Sequence, residues 1–396
     1  RRHSAELERT HRDHRADDKS EGNPPPRRNS RIALLETERG GTRRSRRRAE
    51  AATVHDRRKG GNTLSTLIDP RKTFGEAVTE LAEHDDRIVV LSADSGGSSG
   101  FGMFRKLYPD RYFEFGIQEH GVTGVAAGLA TTGRVPVFAA IAAFVTNRNY
   151  EACRHHVAHL AQNHKISGRN GGMTYSDLGP THYSLEDYAI IRMLPGVVVL
   201  SPQDPGEIRA AVEAMISHDG PVYMRIGGAL IPDLFPQEPF AIGKGRIIRA
   251  GDRATLISTG TLTGQVILAA DQLASNGIEV ELIGMPTVEP IDTDLIVSSA
   301  ARTGHVITIE EHYVRGGLSA AVAETIGQLS IRHDSIGLPH QHVTTGTYAG
   351  LLEHYGLDAK GLHDQIQGLL TSDLNPQLDD VDHSLPHDGI FDLDRA

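Results

Sequence analysis

Polar side chains that can bind ligands or transfer protons occur at four places where a buried strand gives way to a loop or helix. These segments are SADSGGSSG (92–100), GIQEHG (116–121), GRNGGMTYSDLGPTH (168–182) and RIGG (225–228). In an open parallel sheet the carboxyl ends of the strands lie at one edge, and ligands bind there. We therefore expect the four segments to meet in one site.

Glu119 is a candidate for a chemical role, because its carboxylate lies at the start of a Gly/Ala-rich helix that directly follows a strand. The helix dipole favours a negative charge at this position by a few tenths to about 1 kcal/mol, which would make Glu119 an ordinary helix-start charge. It could equally be a proton-transfer group held against a ligand. The residue pattern alone leaves both interpretations open.

Five further side chains could serve a site at this edge, and each also has a plain structural interpretation. Asp94 follows the strand VVLS by two positions and could simply cap a turn. His182 lies in a loop before the helix-forming segment SLED and could be a loop histidine. Arg71, Ser98 and Arg225 could bind an anion through charge-assisted hydrogen bonds, or the two arginines could be surface charges.

Several common classes of site lack their motifs. The chain has no GxGxxG, no GxxxxGK[ST] and no HExxH, so dinucleotide, Walker-type nucleotide and HExxH zinc sites are not indicated. His155 and His159 stand four residues apart on a predicted helix, but no acid or cysteine joins them at ligand spacing. Surface or interface histidines are the better interpretation. Glu310, Glu311 and His312 are consecutive on a predicted strand and point different ways, which disfavours a metal site.

Alternating strand and helix patterns frame the four segments. Short apolar runs such as RIVVLS and VPVFAAIAAF alternate with amphipathic helices such as TFGEAVTELAEH. Continuous apolar strands separated by helices are typical of a parallel sheet covered on both faces. A Pro-rich aperiodic linker over 229–245 precedes a second α/β unit. The pattern predicts an α/β fold of two doubly wound domains, at 63–228 and 246–370.

Charge divides the 396-residue chain unevenly. Residues 1–62 hold 18 of the 41 Lys and Arg but only 10 of the 51 Asp and Glu. This basic stretch and the acidic segment 371–396 lack periodic apolar residues, so we predict disordered tails. The RRSRRR run permits nucleic-acid binding, but a solvated tail is the better interpretation. The sequence contains no uninterrupted run of about 18 apolar residues, the length that would predict a membrane span. The single cysteine, Cys153, fits a reducing, cytoplasmic compartment.

In this order, the motifs resemble those of the transketolase family. The quoted stretches are SAD (92–94), FGIQEHGVTGVAAGLA (115–130), GPTHYSLEDYAIIRMLP (179–195), SPQDPGE (201–207) and GPVYMRIG (220–227). The stretches GIEVELIGMPTVEPID and ITIEEHYVRGGLSAAVAE are similar to the C-terminal domain of that family. The resemblance runs from about residue 63 to 370. It implies a pyrimidine-binding domain with a parallel sheet, followed by a transketolase C-terminal domain.

The GDG motif, with which the family binds thiamine diphosphate through a divalent metal, does not occur in this sequence. The resemblance therefore implies the C-terminal subunit of a split, two-chain transketolase. It implies thiamine diphosphate as cofactor, with Mg²⁺ bound mainly by an N-terminal, GDG-bearing partner in an α2β2 assembly. The expected reaction transfers a two-carbon ketol unit from a ketose, expected to be a sugar phosphate, to an aldehyde acceptor.

The resemblance also gives three residues a role at the cofactor. Glu119 matches the glutamate that hydrogen-bonds N1′ of the aminopyrimidine, a contact that promotes loss of the proton from the thiazolium C2. Phe144 matches an aromatic residue that stacks on the pyrimidine ring. Asp94 matches an aspartate near the cofactor at the subunit contact.

Five residues match substrate positions of the family. His182 corresponds to a catalytic histidine that faces the reacting carbons of the substrate. Contacts to the sugar phosphate are implied for Arg71, Ser98 and Arg225. Asn170 stands where the family has a histidine that helps to bind the donor or the phosphate.

The substrate loop departs from the family pattern at two positions. Leu178 replaces an acidic residue just before GPTH, although Asp177 stands one position earlier, and Asn170 replaces the histidine. Cofactor use is therefore better supported than substrate identity. Alternatives are a specialised transketolase-like carbon–carbon ligase of sugar or secondary metabolism and the β subunit of a 2-oxoacid dehydrogenase-type enzyme. An alternative of another class is a non-catalytic scaffold subunit.

Overall fold

The computed structural model describes residues 67–235 and 239–372, together with the backbone of two short strands. These strands, β1 (Val54–Asp56) and β2 (Thr63–Ser65), pair antiparallel. Apart from them, the tail predicted over residues 1–62 lies outside the described residues, as does nearly all of the tail predicted over 371–396. No helix in the described part of the chain is long and apolar enough to cross a membrane.

The first half of the described chain alternates strands and helices. Its elements are β3 (Leu67–Ile68), α1 (Pro70–Leu81), β4 (Ile88–Ser92), α2 (Gly102–Leu107), β5 (Tyr112–Glu114), α3 (Glu119–Ala130), β6 (Val135–Ile141), α4 (Ala142–Val145), α5 (Tyr150–Ala152), β7 (Lys165–Arg169), α6 (Asp187–Arg192), β8 (Val198–Leu200), α7 (Pro205–Ser217), β9 (Val222–Ile226) and β10 (Ile231–Pro232). A π-helical segment, Cys153–His159, continues α5. Helix starts follow local chemistry: Asp69 caps α1 by accepting a hydrogen bond from the Arg71 N–H at 3.0 Å, and proline occupies the first helical position.

The second half contains a further run of alternating elements. They are β11 (Arg246–Arg249), β12 (Thr255–Ser258), α8 (Thr263–Ser275), β13 (Glu281–Gly284), β14 (Thr287–Glu289), α9 (Thr293–Thr303), β15 (His305–Tyr313), α10 (Leu318–Ile326), β16 (Arg332–Leu338), α11 (Tyr348–His354) and α12 (Ala359–Thr371). Five of its strands form a sheet in the order β11-β13-β12-β15-β16, in which only β11 runs antiparallel to its neighbour.

A seven-stranded sheet in the order β14-β8-β9-β7-β6-β4-β5 forms the centre of the first half. Every neighbouring pair from β8 to β5 is parallel. Strands such as β4 and β9 are buried along their whole length, as expected for a sheet covered on both faces. The predicted α/β class with parallel sheets is confirmed. The loops after β4, β5, β6, β7 and β9 consequently lie at one edge of this sheet.

The edge strand β14 comes from the second half of the chain and pairs antiparallel with β8 of the first. It covers the backbone edge that β8 would otherwise expose. The sequence pattern did not predict that a strand from the second half joins this sheet, because Thr287–Glu289 has no local feature that identifies the strand with which it pairs. The Pro-rich segment 229–245 also holds a short strand, β10, paired with β3.

One predicted strand ends early. The apolar run VPVFAAIAAF stops being extended at Ile141, and the next four residues form α4. The turn brings Phe144 to the edge of the sheet where the polar loops meet. An uninterrupted apolar run gives no local signal for such a change from strand to helix.

Candidate active site

Glu119 is the first residue of α3 and is only 4% exposed. The Thr123 hydroxyl donates to the Glu119 carbonyl at 3.0 Å, and Asn149 Nδ2 donates to that hydroxyl at 2.6 Å, so the first turn is held firmly. Within the described residues, the Glu119 carboxylate has one side-chain partner, Arg148, whose Nη1 lies 3.4 Å from Oε2. A carboxylate can accept about four hydrogen bonds, so this buried group keeps capacity for a ligand.

A line of contacts leads from Glu119 to the loop that carries His182. The guanidinium carbon of Arg148 lies 3.8 Å from the centroid of the Phe144 ring. The Phe144 ring lies 5.1 Å from the His182 ring, which in turn lies 5.3 Å from the Tyr175 ring. The structure thus brings three of the predicted residues, Glu119, Phe144 and His182, to one place.

The orientation of His182 follows from its neighbour. The Thr181 hydroxyl and His182 Nδ1 are 2.8 Å apart and form a hydrogen bond. This contact fixes the ring and leaves Nε2 to meet a ligand. The ring is half-buried and lies beside the rings of Phe144 and Tyr175.

Arg169, the last residue of β7, is a candidate that the sequence analysis missed. It is only 4% exposed, its Nε donates to Ser99 Oγ at 3.0 Å, and its Nη1 donates to Asn170 Oδ1 at 3.0 Å. Burial lowers the pKa of Arg169, although an interaction with Tyr175 opposes that shift. A charged residue that ends an otherwise buried strand at the ligand edge is the signal that could have identified it.

Arg71 lies close to Arg169. Its Nε and Nη2 bind Asp69 at 3.0 and 2.8 Å, and these hydrogen bonds raise the pKa of Arg71, with a smaller contribution from Tyr175. The two guanidinium groups are near enough for their charges to repel, which contributes to the lowered pKa of Arg169. Asp69 balances the charge of Arg71, so the two arginines and this acid carry one net positive charge beside Tyr175, which suits the binding of an anion.

Asn170 supports this basic pair. It is buried with a φ of +56°, and its Oδ1 is taken by Arg169. Its amide nitrogen lies against Gly228, where a Cβ would collide with it. Asn170 therefore orients Arg169 in this structure.

Arg225 is placed differently from the other predicted substrate residues. Its Nη1 donates to Asp187 Oδ1 at 3.1 Å and its Nη2 to the Glu311 carbonyl at 2.6 Å. Its guanidinium also lies 4.4 Å from the centroid of the Tyr188 ring. The charge is thus satisfied inside the protein, and the structure does not bring Arg225 to the Arg71–Arg169 pair.

Asp94 and Ser98 lie exposed on the loop after β4. The Asp94 N–H donates to Glu114 Oε1 at 2.7 Å, and its φ of +58° turns the chain sharply there. Ser98 Oγ donates to the Ser95 carbonyl at 3.0 Å, so the hydroxyl that meets Arg169 belongs to Ser99 instead. Neither Asp94 nor Ser98 touches the line of contacts described above.

The acids and histidines considered as metal ligands have other surroundings. His155 and His159 rings are 6.5 Å apart on an exposed surface. Glu310 accepts hydrogen bonds from the N–H groups of Leu318 and Ser319 at 2.8 and 2.9 Å, which satisfies the start of α10. No cluster of three potential metal-ligating side chains occurs in the parts of the chain that the structure describes.

Comparison with known proteins agrees with this architecture. Residues 67–232 match the transketolase pyrimidine binding domain, and residues 243–362 match the transketolase C-terminal domain. The chain is 34% identical over 300 residues to an apulose-4-phosphate transketolase subunit of Phocaeicola vulgatus, a match that covers 75% of this chain and 96% of that protein. The chain belongs to the transketolase family.

Two further transketolases extend the comparison. The 6-deoxy-6-sulfo-D-fructose transketolase subunit of Clostridium sp. (strain MSTE9) is 36% identical over 293 residues, covering 73% of this chain and 91% of that protein. A solved split gene transketolase, described as an inactive beta4 tetramer, matches with a TM-score of 0.72 and 36% identity over 77% of this chain and 99% of that chain. The predicted likeness to the C-terminal subunit of a split transketolase, a transferase subunit, is confirmed.

Proposed function

We propose that this transketolase subunit binds the aminopyrimidine end of thiamine diphosphate and the substrate, and that with a partner chain it transfers a two-carbon ketol unit from an anionic ketose to an aldehyde. The observation that carries the proposal is the line of contacts from Glu119 through Phe144 and His182 to Tyr175, ending beside the Arg71–Arg169 pair. This line connects the buried carboxylate of Glu119 to the two arginines along one edge of the sheet.

The residues at one end of this line fit the aminopyrimidine of thiamine diphosphate. Glu119 is buried with unused acceptor capacity, and the half-exposed Phe144 ring beside it offers a stacking surface. When bound, the cofactor supplies the thiazolium carbon that takes up the two-carbon unit. Glu119 holds a proton at N1′ of the pyrimidine, and Arg148 balances the charge of Glu119 when that proton is absent.

The other end of the line suits the substrate. His182 presents Nε2 to exchange a proton with a substrate oxygen, since Thr181 occupies Nδ1. Arg71 and Arg169 hold a terminal anionic group through charge-assisted hydrogen bonds, with Asp69 and Asn170 fixing their orientations. A ketose anchored in this way presents its opposite end to His182.

The names of the relatives support an anionic sugar as donor. One relative acts on apulose 4-phosphate and the other on 6-deoxy-6-sulfo-D-fructose, so one name carries a phosphate and the other a sulfonate. Both groups place negatively charged oxygens at the end of a sugar, where two arginines can bind them. A sugar phosphate is our first choice, and a specialised transketolase acting on another anionic sugar is the second candidate.

We assign the diphosphate of the cofactor and its Mg²⁺ to a GDG-bearing partner chain in an α2β2 heterotetramer. The matches to a protein named as one subunit of a transketolase and to a split gene transketolase support a two-chain enzyme. We also propose that Asp94, which is exposed at the same sheet edge, contacts that partner. We further propose a role in carbohydrate metabolism in the cytoplasm, where the free thiol of buried Cys153 would stay reduced.

Reconstitution tests this function. The full chain is mixed with a GDG-bearing transketolase subunit, thiamine diphosphate and Mg²⁺, and two-carbon transfer from phosphorylated and sulfonated ketoses to an aldose is measured. We expect transfer only when both chains are present, with each chain alone serving as control. A mixed complex that transfers no two-carbon unit from any of these donors, or activity of this chain alone, would contradict the proposal.

A further inference from the structure

The loop that carries His182 is closed on itself at its base. It leaves the sheet after β7 and returns toward α6, and Gly172 and Ser184 pair at its neck. The Gly172 N–H donates to the Ser184 carbonyl at 3.0 Å, and the Ser184 N–H donates back at 3.2 Å. The position of His182 therefore depends on what holds this closed loop as a body.

The loop packs on the second half of the chain. Met173, Tyr183 and Leu185 are buried in an apolar cluster whose other members all come from residues 254–370. The Tyr183 hydroxyl donates to the Thr344 carbonyl at 2.9 Å, and the Gly346 N–H donates to the Ser176 carbonyl at 3.3 Å. The second half of the chain thus supports the loop directly.

Among the described residues of the second half, Glu311 on β15 is the one ionisable side chain that hydrogen-bonds to the backbone of the loop. Its Oε1 accepts from the Met173 N–H at 2.6 Å, and its Oε2 accepts from the Tyr348 hydroxyl at 2.8 Å. Glu311 is 6% exposed, so water does not compete for these contacts. Tyr348 in turn belongs to α11, and the three groups link loop, strand and helix.

Two glycines make room for this arrangement. Gly172 has a φ of +67°, and a Cβ there would collide with the Glu311 carboxylate. A Cβ on Gly171 would collide with the side chain of Arg225, which donates to the Glu311 carbonyl at 2.6 Å. The backbone of the loop thus approaches both charged side chains more closely than any other residue type would allow.

We propose that Glu311 and Tyr348 are positioning residues that hold the loop so that His182 faces the substrate. The proposal rests on the function proposed above. It gives the second half of this chain a part in the reaction, although none of its side chains belongs to the line from Glu119 to Tyr175. Glu311 bonds the loop, and Tyr348 keeps the Glu311 carboxylate in place.

Amide hydrogen exchange of the full chain tests this support without any need for activity. Tyr348→Phe removes one hydrogen bond to a buried carboxylate and leaves the ring in place. We expect exchange of residues 171–184 to become at least about tenfold faster, the lower end of the change that the loss of one hydrogen bond to a charged group gives. Exchange in α3 should not change. Tyr313→Phe is the matched control, because the Tyr313 hydroxyl makes no hydrogen bond among the described residues.

Kinetics of the complex with the partner chain provide the second readout. For Tyr348→Phe we expect kcat/KM for the ketose donor to fall about tenfold. The rate at which the cofactor C2 proton exchanges with deuterium, which depends on Glu119, should stay at the wild-type value. A parallel loss of both rates would indicate general destabilisation and overturn the proposal, as would unchanged amide exchange of the loop. If the wild-type complex transfers no ketol unit, the proposed function fails, while amide exchange still decides whether the loop is held in this way.

Discussion

Arg169→Met tests the anion-binding end of the proposed site. Nε and Nη1 of Arg169 are engaged with Ser99 and Asn170, and no other hydrogen bond of this side chain occurs among the described residues, so its Nη2 N–H groups remain to bind an anion. A hydrogen bond between charged groups contributes about 1.5–3 kcal/mol, so its loss should raise the KM for a phosphorylated donor about 10- to 150-fold. A donor without a terminal anion should be bound equally well by the variant and the wild type.

The assay compares two donors that differ only in the phosphate, D-xylulose 5-phosphate and D-xylulose, on the same preparation of the complex. The substitution also removes two internal hydrogen bonds and will lower the fraction of correctly folded protein. Because KM does not depend on the concentration of folded enzyme, the ratio of the two KM values reports the contact with phosphate. The ratio should change by about 10- to 150-fold.

Arg225→Met is the contrasting variant, because Arg225 forms a buried ion pair with Asp187 instead of lying beside the other arginines. Removing one partner of a buried ion pair costs about 3–5 kcal/mol of folding free energy, so this variant should unfold at a lower temperature. Its KM ratio for the two donors should equal that of the wild type. A selective effect of Arg225→Met on the phosphorylated donor, or an equal effect of Arg169→Met on both donors, would refute the assignment.

Two further predictions concern buried ionisable groups. Cys153 is 1% exposed, and burial raises the pKa of its thiol to about 12. A maleimide at pH 8 should therefore label Cys153 only after denaturant has unfolded the chain. Rapid labelling of the native chain would contradict this prediction. Burial lowers the pKa of Lys165 to about 7, and the neutral amine still has N–H groups for the carbonyls of His218 and Gly220. The unfolded chain then binds more protons than the folded chain between pH 7 and 10.5, so the free energy of unfolding should rise with pH by up to about 1.4 kcal/mol per unit. Urea titrations of Lys165→Met should lack this contribution, and equal slopes in both proteins would contradict it.

The common edge of the site was predictable because it depends on strand direction alone. Buried apolar strands separated by helices require a parallel sheet, and in such a sheet the segments containing Glu119 and His182 must lie on the same side. Phe144 was placed by the family resemblance. Its position at this edge in the structure depends on the early end of β6, which the sequence pattern did not indicate.

The different surroundings of the two arginines were not predictable. Arg169 is the last residue of β7 and Arg225 is the last but one of β9, in the same sheet, and nothing local distinguishes a side chain that meets a loop from one that meets an acid. The position of the Arg225 guanidinium depends on its hydrogen bond to Asp187, which lies 38 residues away in the chain. In the same way, Ser99 rather than Ser98 meets Arg169 because of the turn after β4. Such pairings depend on tertiary packing that sequence periodicity does not describe.

Exchange of the cofactor C2 proton in the complex with the partner chain, measured for Glu119→Gln, tests the central claim most directly. Proton transfer by a positioned side chain contributes about 10²–10⁴-fold, so we expect the exchange rate to fall by at least about 100-fold. Folding should change little, because the partner of Glu119, Arg148, is half-exposed and lies 3.4 Å away. Glu151→Gln, at an exposed glutamate bound to His120 at 2.8 Å, is the matched control and should exchange at the wild-type rate. A wild-type exchange rate in Glu119→Gln would contradict the account.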